Sequence, residues 1–212
     1  MTIELLNMDC MDYLRDCEDN AFDLAIVDPP YGIGNWIQTT GNVSPNFENV
    51  DWNDSSPDGL YFDEVRRVSK EWIIWGANYY NCFDQKGGSL IWHKQIPEGS
   101  NFSECEIASI SMKKSVDYCS IAWPSGFYRQ IAKNEGNQIH PCQKPVKLYK
   151  WILEKYAKEG DRILDTHLGS GSSAIAAHYG QFDFVGIEID EDYYKSACER
   201  FEKETAQLDI FA

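Results

Sequence analysis

The sequence predicts an α/β protein with a doubly wound, mostly parallel sheet. The apolar runs "FDLAIVD", "EWIIWG" and "FDFVGIEID" are typical of strands that are buried on both faces of a parallel sheet. Helical patterns lie between such runs, and "KPVKLYKWILEKYAKEG" is the clearest of them, with a proline near its first turn and a glycine after its end. This alternation predicts that ligands bind at the carboxyl ends of the strands.

The predicted elements span the chain as one domain over residues 1–212. The strands are "IELLN", "FDLAIVD", "EWIIWG", "SLIWHK", "CEIASIS", "VDYCSIAW", "RILD" and "FDFVGIEID". Besides the clearest helix, we predict "CMDYLRDC", "SSAIAAHY", "DEDYYKSACERFEKE" and a helix that begins at Ser56 and Pro57 and ends near Ser69. Lys113, Lys114 and Ser115 predict a hairpin between the fifth and sixth strands.

The composition favours a cytoplasmic protein without a membrane span. No apolar stretch approaches the roughly 20 residues of a membrane helix, and the N-terminus lacks the pattern of a secretory signal. The seven cysteines include no CxxC pair, so we expect reduced thiols, no disulfides and no metal. The net charge of −15 argues against broad electrostatic attraction to nucleic acid. The net charge does not exclude a local basic face, and the candidate residues for one are Arg66, Arg67, Lys113, Lys114, Arg129, Lys133, Lys144, Lys147 and Lys150.

A glycine turn between a strand and a helix predicts a nucleoside site. In "RILDTHLGSGSSAIAA", Gly169 and Gly171 let a ligand approach the backbone, and Asp165 at the strand end could hold a cationic amine. Glu188 ends the next strand, where an acid grips ribose hydroxyls. Because the spacing is neither GxGxxG nor a P-loop, a nucleoside without a pyrophosphate fits better than a dinucleotide.

A second site is predicted at the end of "FDLAIVD", where Asp28, Pro29, Pro30 and Tyr31 follow the strand. The Asp28 carboxylate and the Pro29 carbonyl could accept the two N–H groups of an aromatic amine, while Tyr31 stacks on its ring. Those hydrogen bonds would localise the lone pair of the amine and align it with a methyl donor, which is catalysis by positioning. A turn with a capping aspartate is the alternative.

Together these residues resemble the amino-methyltransferases of DNA, which use S-adenosylmethionine. "DPPY" is similar to their catalytic motif, "HPCQKP" at 140–145 to their HPxQKP motif, "DTHLGSGSS" to their cofactor loop and "GIEID" to their ribose-binding acid. "NMDCMDYL" resembles the segment beside the cofactor's adenine. The order of the motifs is that of the permuted β class, which implies a seven-stranded sheet with one antiparallel strand.

The resemblance implies a set of cofactor-binding residues and a function. The set is Asp9, Cys10, Lys144, Asp165, His167, Gly169, Gly171 and Glu188. The expected function is site-specific methylation of the 6-amino group of a flipped-out adenine in double-stranded DNA. Cytosine 4-amino methylation, a substrate of RNA or free nucleoside, and a partner-dependent binding subunit with weak activity are the alternatives.

The sequence departs from the family pattern in three places. His167 replaces a phenylalanine that packs on the cofactor, and this could make cofactor affinity sensitive to pH. Cys142 replaces a threonine. No separate target-recognition domain is present, so only residues 35–56 and 124–139 are left for that role.

The end of the chain, "QLDIF" at 207–211, resembles the peptide by which bacterial proteins hold the replication sliding clamp. Gln207 would lead, and Leu208, Ile210 and Phe211 would anchor the peptide in an apolar groove. The alternative is that these apolar residues pack on the last helix. A homodimer that clasps the duplex is a further expectation.

Overall fold

A computed structural model describes residues 1–34, 54–100, 102–123 and 138–206. Within these ranges, eight strands form one sheet: β1 (Ile3–Asn7), β2 (Phe22–Val27), β3 (Ser69–Trp75), β4 (Ser89–His93), β5 (Cys105–Ile110), β6 (Val116–Ser120), β7 (Arg162–Asp165) and β8 (Asp183–Glu188). Six helices accompany them: α1 (Cys10–Asp16), α2 (Gly59–Val68), α3 (Ala77–Tyr80), α4 (Val146–Tyr156), α5 (Ser172–Tyr179) and α6 (Glu191–Thr205).

The strand order is β1-β8-β7-β2-β3-β5-β4-β6, and β5 is antiparallel to both of its neighbours. The other pairs in the sheet are parallel. The predicted α/β class with a mostly parallel sheet and one reversed strand is therefore confirmed. The sheet of the described residues has eight strands and not the seven that the resemblance implies, because β1 pairs along β8 at one edge.

The helices cover both faces of the sheet, as a doubly wound fold requires. On one face, Leu14 of α1 and Tyr61, Phe62, Val65 and Val68 of α2 pack with Ala25, Val27 and Ile74 of the strands. On the other face, helices α4, α5 and α6 pack with Leu24, Ile26, Ile73 and Ile163. Alternate side chains of β2 thus enter opposite cores, which explains why its sequence is apolar without interruption.

Two local predictions were wrong. Lys113, Lys114 and Ser115 do not form a hairpin, because β4 lies between β5 and β6 and pairs with both. The helix predicted at Ser56 begins at Gly59, where the side chain of Asp58 caps it by accepting a hydrogen bond from the backbone N–H of Tyr61 at 3.2 Å.

The seven cysteines are all free thiols in this structure. None of the described helices is long and apolar enough to cross a membrane.

Candidate active site

Both predicted sites line one cavity of about 590 Å³. Asp28 follows β2, and the glycine turn follows β7. Because β2 and β7 are adjacent and parallel, their carboxyl ends lie at the same edge of the sheet. The cavity is lined by Asp28, Pro29, Pro30 and Tyr31 from the first segment and by His167, Gly169 and Glu188 from the second. The expected convergence of the two segments is therefore present.

Asp28 lies within a group of buried charges. The Lys144 ammonium, only 4% exposed, forms an ion pair with Oδ2 of Asp28 and lies 3.0 Å from Oε2 of Glu106. The Tyr31 hydroxyl donates to Oδ1 of Asp28 at 2.8 Å and lies 3.2 Å from Glu106. Each Asp28 oxygen therefore already has one donor, and each keeps a second lone pair for a ligand.

The charge states of this group follow from burial and from its neighbours. Burial raises the pKa of Asp28, Lys144 opposes this shift, and the charge of Glu106 adds to it. Burial alone would raise the pKa of Glu106 too, but Lys144 and Lys94 outweigh it and lower the value to about 2. Burial would lower the pKa of Lys144, yet the two carboxylates raise it above its ordinary value. Lys144 and Glu106 are therefore ionised at neutral pH.

The surroundings of "DPPY" differ from the sequence-based picture in two ways. The Tyr31 ring stacks on Tyr79, with ring centroids 4.8 Å apart and planes 17° apart. One face of Tyr31 is therefore already covered. The hydroxyl of Tyr80 shares its one hydrogen between the carbonyls of Pro29 and Pro30, which lie 2.5 and 2.8 Å away. Since a carbonyl oxygen has two lone pairs, Pro29 can still accept one more N–H.

The glycine turn is held by Glu188, the acid at the end of β8. Oε2 of Glu188 accepts the backbone N–H of Gly169 at 2.8 Å, and Oε1 accepts that of Asp190 at 3.0 Å. Gly169 and Gly171 have φ of +51° and +74°, a region that favours glycine. Arg200 of α6 donates to the carbonyl of Ser170 at 2.9 Å, which ties the last helix to the turn.

Asp165 does not line the cavity in this structure. It is 1% exposed, and its oxygens accept the backbone N–H of His167 at 3.0 Å and the hydroxyl of Ser173 at 2.6 Å. Burial raises the pKa of Asp165 to about 7. These contacts show that Asp165 shapes the turn. Because Asp165 does not reach the cavity, it is not placed to hold the amine of a ligand there, the role that the sequence led us to expect. Gly171 also lies behind the cavity wall, against Ala197.

His167 lines the cavity and packs edge-on against Tyr61, with ring centroids 5.4 Å apart. Burial lowers the pKa of His167 to about 4, so the imidazole is neutral at physiological pH. The pH sensitivity expected from this substitution would therefore fall in the acidic range. Cys142 also lines the cavity, and burial raises the pKa of its thiol to about 12.

Asp9 and Cys10 lie at the start of α1, outside the cavity lining. Asp9 is exposed and caps the helix by accepting the backbone N–H of Met11 at 2.7 Å. Burial raises the pKa of Cys10 to about 12, so this thiol is neutral. The helix cap accounts for Asp9 without a ligand, and the adenine-side role of both residues stays a prediction.

Several cavity residues were missed from the sequence: Lys94, Glu106, Tyr79, His140 and Tyr193. His140 was quoted only as a part of "HPCQKP", yet its ring packs against Tyr193 with centroids 4.5 Å apart and lies beside Gly169. Glu106 and Lys94 belong to no motif. A usable signal for Glu106 was a charged residue inside the otherwise apolar strand "CEIASI".

The expected basic face is weak among the described residues. Arg66 and Arg67 pair with Asp63 and Glu64, and Lys113 pairs with Asp117. Lys150 lies over the Tyr179 ring at 3.8 Å. Arg129, Lys133, nearly all of the two segments expected to recognise the target, and the clamp-like peptide lie outside the described residues.

A family model described as DNA methylase, of the N6 and N4 type, matches residues 78–199, which is more than half of the chain. The chain belongs to the N6/N4 DNA methylase family.

Among curated relatives, this DNA methylase is 25% identical to type II methyltransferase M2.DpnII of Streptococcus pneumoniae, over 94% of this chain and 90% of that protein. It is also 25% identical to type II methyltransferase M.HpaI of Haemophilus parainfluenzae, over 90% of this chain and 71% of the relative.

Two solved structures show the same fold. The M1.HpyAVI–SAM complex has a TM-score of 0.61 at 16% identity, over 96% of this chain and 99% of that one. The cytosine-N4-specific PvuII DNA methyltransferase has a TM-score of 0.62 at 12% identity, over 99% of this chain and 92% of that one.

Replacing Gly76 with alanine should distort the Asp28 site of this methylase. Its φ is +75°, and a Cβ there would lie 2.7 Å from Cδ1 of Tyr31. Gly160 is a matched control, since its φ is +87° and a Cβ there would meet no atom within 4 Å. We expect Gly160→Ala to cost about 1 kcal/mol of unfolding free energy and to leave methyl transfer unchanged.

Gly76→Ala should cost about 1 kcal/mol more, because the ring of Tyr31 must move. It should also slow methyl transfer about tenfold or more, since small misplacements at a reacting centre are costly. Urea unfolding and initial rates measure the two effects. Equal losses in the two variants would show that Gly76 does not hold the site.

Proposed function

We propose that this chain transfers a methyl group from S-adenosylmethionine to the 6-amino group of an adenine in double-stranded DNA. The observation that supports this most is the single cavity that joins the Asp28 carboxylate to the glycine turn and Glu188. Family membership supports the reaction class. The choice of adenine rests on the sequence "DPPY", which in this family accompanies adenine more often than cytosine.

The residues at the glycine turn fit a nucleoside cofactor. Glu188 lines the cavity with a carboxylate that can accept ribose hydroxyls, and the backbone of Gly169 is part of the cavity wall. The volume of about 590 Å³ lies within the range of small-molecule sites. When bound, S-adenosylmethionine supplies an electrophilic methyl group on a sulfonium.

Asp28 and Pro29 are proposed to position the amine. One N–H of the amine donates to the Asp28 carboxylate and the other to the Pro29 carbonyl, both of which keep an acceptor lone pair in this structure. These bonds hold the lone pair of the nitrogen toward the glycine turn. Since nitrogen attacks before it loses a proton, the ionised carboxylate acts by orientation and charge.

The target base is proposed to leave the duplex before it reaches this cavity. A base that stacks on the covered face of Tyr31 would have to displace Tyr79, whose side chain is 45% exposed. Residues 35–56 and 124–139 stay our candidates for reading the DNA sequence.

Two alternatives are open to test. Cytosine 4-amino methylation uses the same kind of amine, and the PvuII enzyme of the same fold is described as specific for it. A partner-dependent subunit with weak activity is favoured by the net charge of −15, which opposes DNA binding. The intact cavity around Asp28 and Glu188 opposes that alternative.

Transfer of tritium from labelled S-adenosylmethionine distinguishes these possibilities. The protein is incubated with duplex DNA, RNA or nucleosides, and the products are digested and separated. We expect label in N6-methyladenine from DNA. Label in N4-methylcytosine would show that cytosine is the target base. Label in RNA or nucleosides would show that the substrate is not DNA, and no label with any of them would support the partner-dependent subunit.

Substitution of Asp28 and of Glu188 should separate chemistry from cofactor binding. Asp28→Ala should slow transfer at least about 100-fold, the scale of losing a charge-stabilising group at a reacting centre. It should leave the Kd for S-adenosylmethionine unchanged. Glu188→Gln should raise that Kd about tenfold, because a hydrogen bond to a charged acceptor is lost. Calorimetry and initial rates provide the readouts.

An Asp28→Ala variant with normal turnover would remove Asp28 from the mechanism. A Glu188→Gln variant with normal affinity would show that the ribose is held elsewhere. Each variant serves as the control for the other, since the two carboxylates are proposed to contact different ligands.

A sliding clamp and a second copy of the chain are proposed partners in the cytoplasm. The support for the clamp is the "QLDIF" sequence alone, and a clamp would supply the DNA contact that an acidic protein lacks. In a pull-down with purified clamp, deleting Phe211 and Ala212 should abolish retention, whereas deleting Ala212 alone should preserve it. Equal retention of the two would refute the clamp interaction.

A further inference from the structure

Four buried ionisable groups form a chain of alternating charge at the Asp28 end of the cavity. Lys144 bridges Asp28 and Glu106, and the Lys94 ammonium lies 3.3 Å from Oε1 of Glu106. Lys144 and Lys94 are only 4% and 5% exposed. The order Asp28, Lys144, Glu106, Lys94 gives two positive and two negative charges, so the group as a whole is neutral.

The topology of the sheet brings these groups together. Asp28 follows β2 and Lys94 follows β4, both at the carboxyl ends of strands that run in the same direction. Glu106 is the second residue of β5, which runs the opposite way between β3 and β4. The beginning of β5 therefore lies at the edge where its neighbours end. The reversed strand is what delivers a second carboxylate to the site.

We propose that Glu106 is a positioning residue that draws the Lys144 ammonium away from Asp28 and so keeps the Asp28 carboxylate available to the target amine. The proposal rests on the proposed role of Asp28. Lys144 contacts both carboxylates and lies closer to Asp28 than to Glu106. Without Glu106, Asp28 would be the one carboxylate that Lys144 contacts among the described residues, and the ammonium would compete more strongly with the amine for the Asp28 oxygens. Tyr31 is shared in the same way, because its hydroxyl lies within reach of both carboxylates.

The charge of the group gives the proposal a direction that can be measured. Removing the charge of Glu106 changes the net charge of the four-residue group from zero to +1, which lowers the pKa of Asp28. Removing the charge of Lys94 leaves −1 and frees Glu106 to attract Lys144 more strongly, which raises the pKa of Asp28. The titratable and charged groups that face Asp28 and Glu106 are Lys94, Lys144, Tyr31, Tyr61, Tyr80, Cys142, Tyr149 and Asp165.

The test compares Glu106→Gln, Glu106→Asp and Lys94→Met with the unchanged protein. Single-turnover methyl transfer is measured against pH, and carbon-13 NMR follows the ionisation of the Asp28 carboxyl in the free protein. Glu106→Gln should slow methyl transfer roughly tenfold at pH about 8. It should also move the acidic limb of the pH–rate profile to lower pH by on the order of half a unit or more. The limb moves down because transfer needs ionised Asp28. Lys94→Met should move it to higher pH, and Glu106→Asp should stay near the unchanged protein.

Opposite shifts in the two variants are a result that mere structural damage would not produce. Thermal unfolding checks that each variant is folded, and either variant alone still tests the sign. The proposal would be overturned if the pKa of Asp28 stays unchanged, or if it shifts in the same direction in Glu106→Gln and in Lys94→Met. Opposite NMR shifts without any change in transfer would instead show that Glu106 sets the charge of Asp28 but that Asp28 has no role in catalysis.

Discussion

The ion pair between Lys144 and Asp28 is the interaction on which the rest of the site depends. It joins two positions that are 116 residues apart, one directly after β2 and one two residues before α4. A buried ammonium is stable only with carboxylates around it, and removing one partner of such a pair leaves a costly unpaired charge. Because Lys144 contacts two carboxylates, it fixes Asp28 and Glu106 at the same end of the cavity.

The sheet order explains how one cavity can serve two ligands. β7 and β2 are neighbours, so the glycine turn and "DPPY" open at one edge. Glu188, at the end of β8, accepts the backbone N–H of Gly169 in the turn, and the buried Asp165 accepts the backbone N–H of His167. The turn is therefore shaped before a ligand arrives, which lowers the cost of ordering it on binding.

Local patterns in the sequence were sufficient for most of the fold. Each of the eight segments predicted to be a strand is a strand in the structure. Short apolar runs of this kind fit a sheet that has helices on both faces. The pairing of β5 with β4 was missed, since the basic turn at Lys113 resembles a hairpin and nothing local reveals that β4 lies between. Strand order depends on contacts between distant segments, which a local pattern does not contain.

The same distinction applies to the site. Asp28, Gly169 and Glu188 were predicted as site residues because each ends a predicted strand or follows one at a turn, and all three line the cavity. Glu106 was missed since its position depends on the reversed direction of β5. Asp165 was placed at the correct strand end, but only the structure reveals that its oxygens are engaged by the backbone and by Ser173.

A crystal structure of the protein with S-adenosylhomocysteine bound would test the central claim most directly. We expect the ribose to contact Glu188 and the sulfur to point along the cavity toward Asp28, with the ion pair between Asp28 and Lys144 intact. A ligand bound outside this cavity, or a sulfur directed away from Asp28, would contradict it.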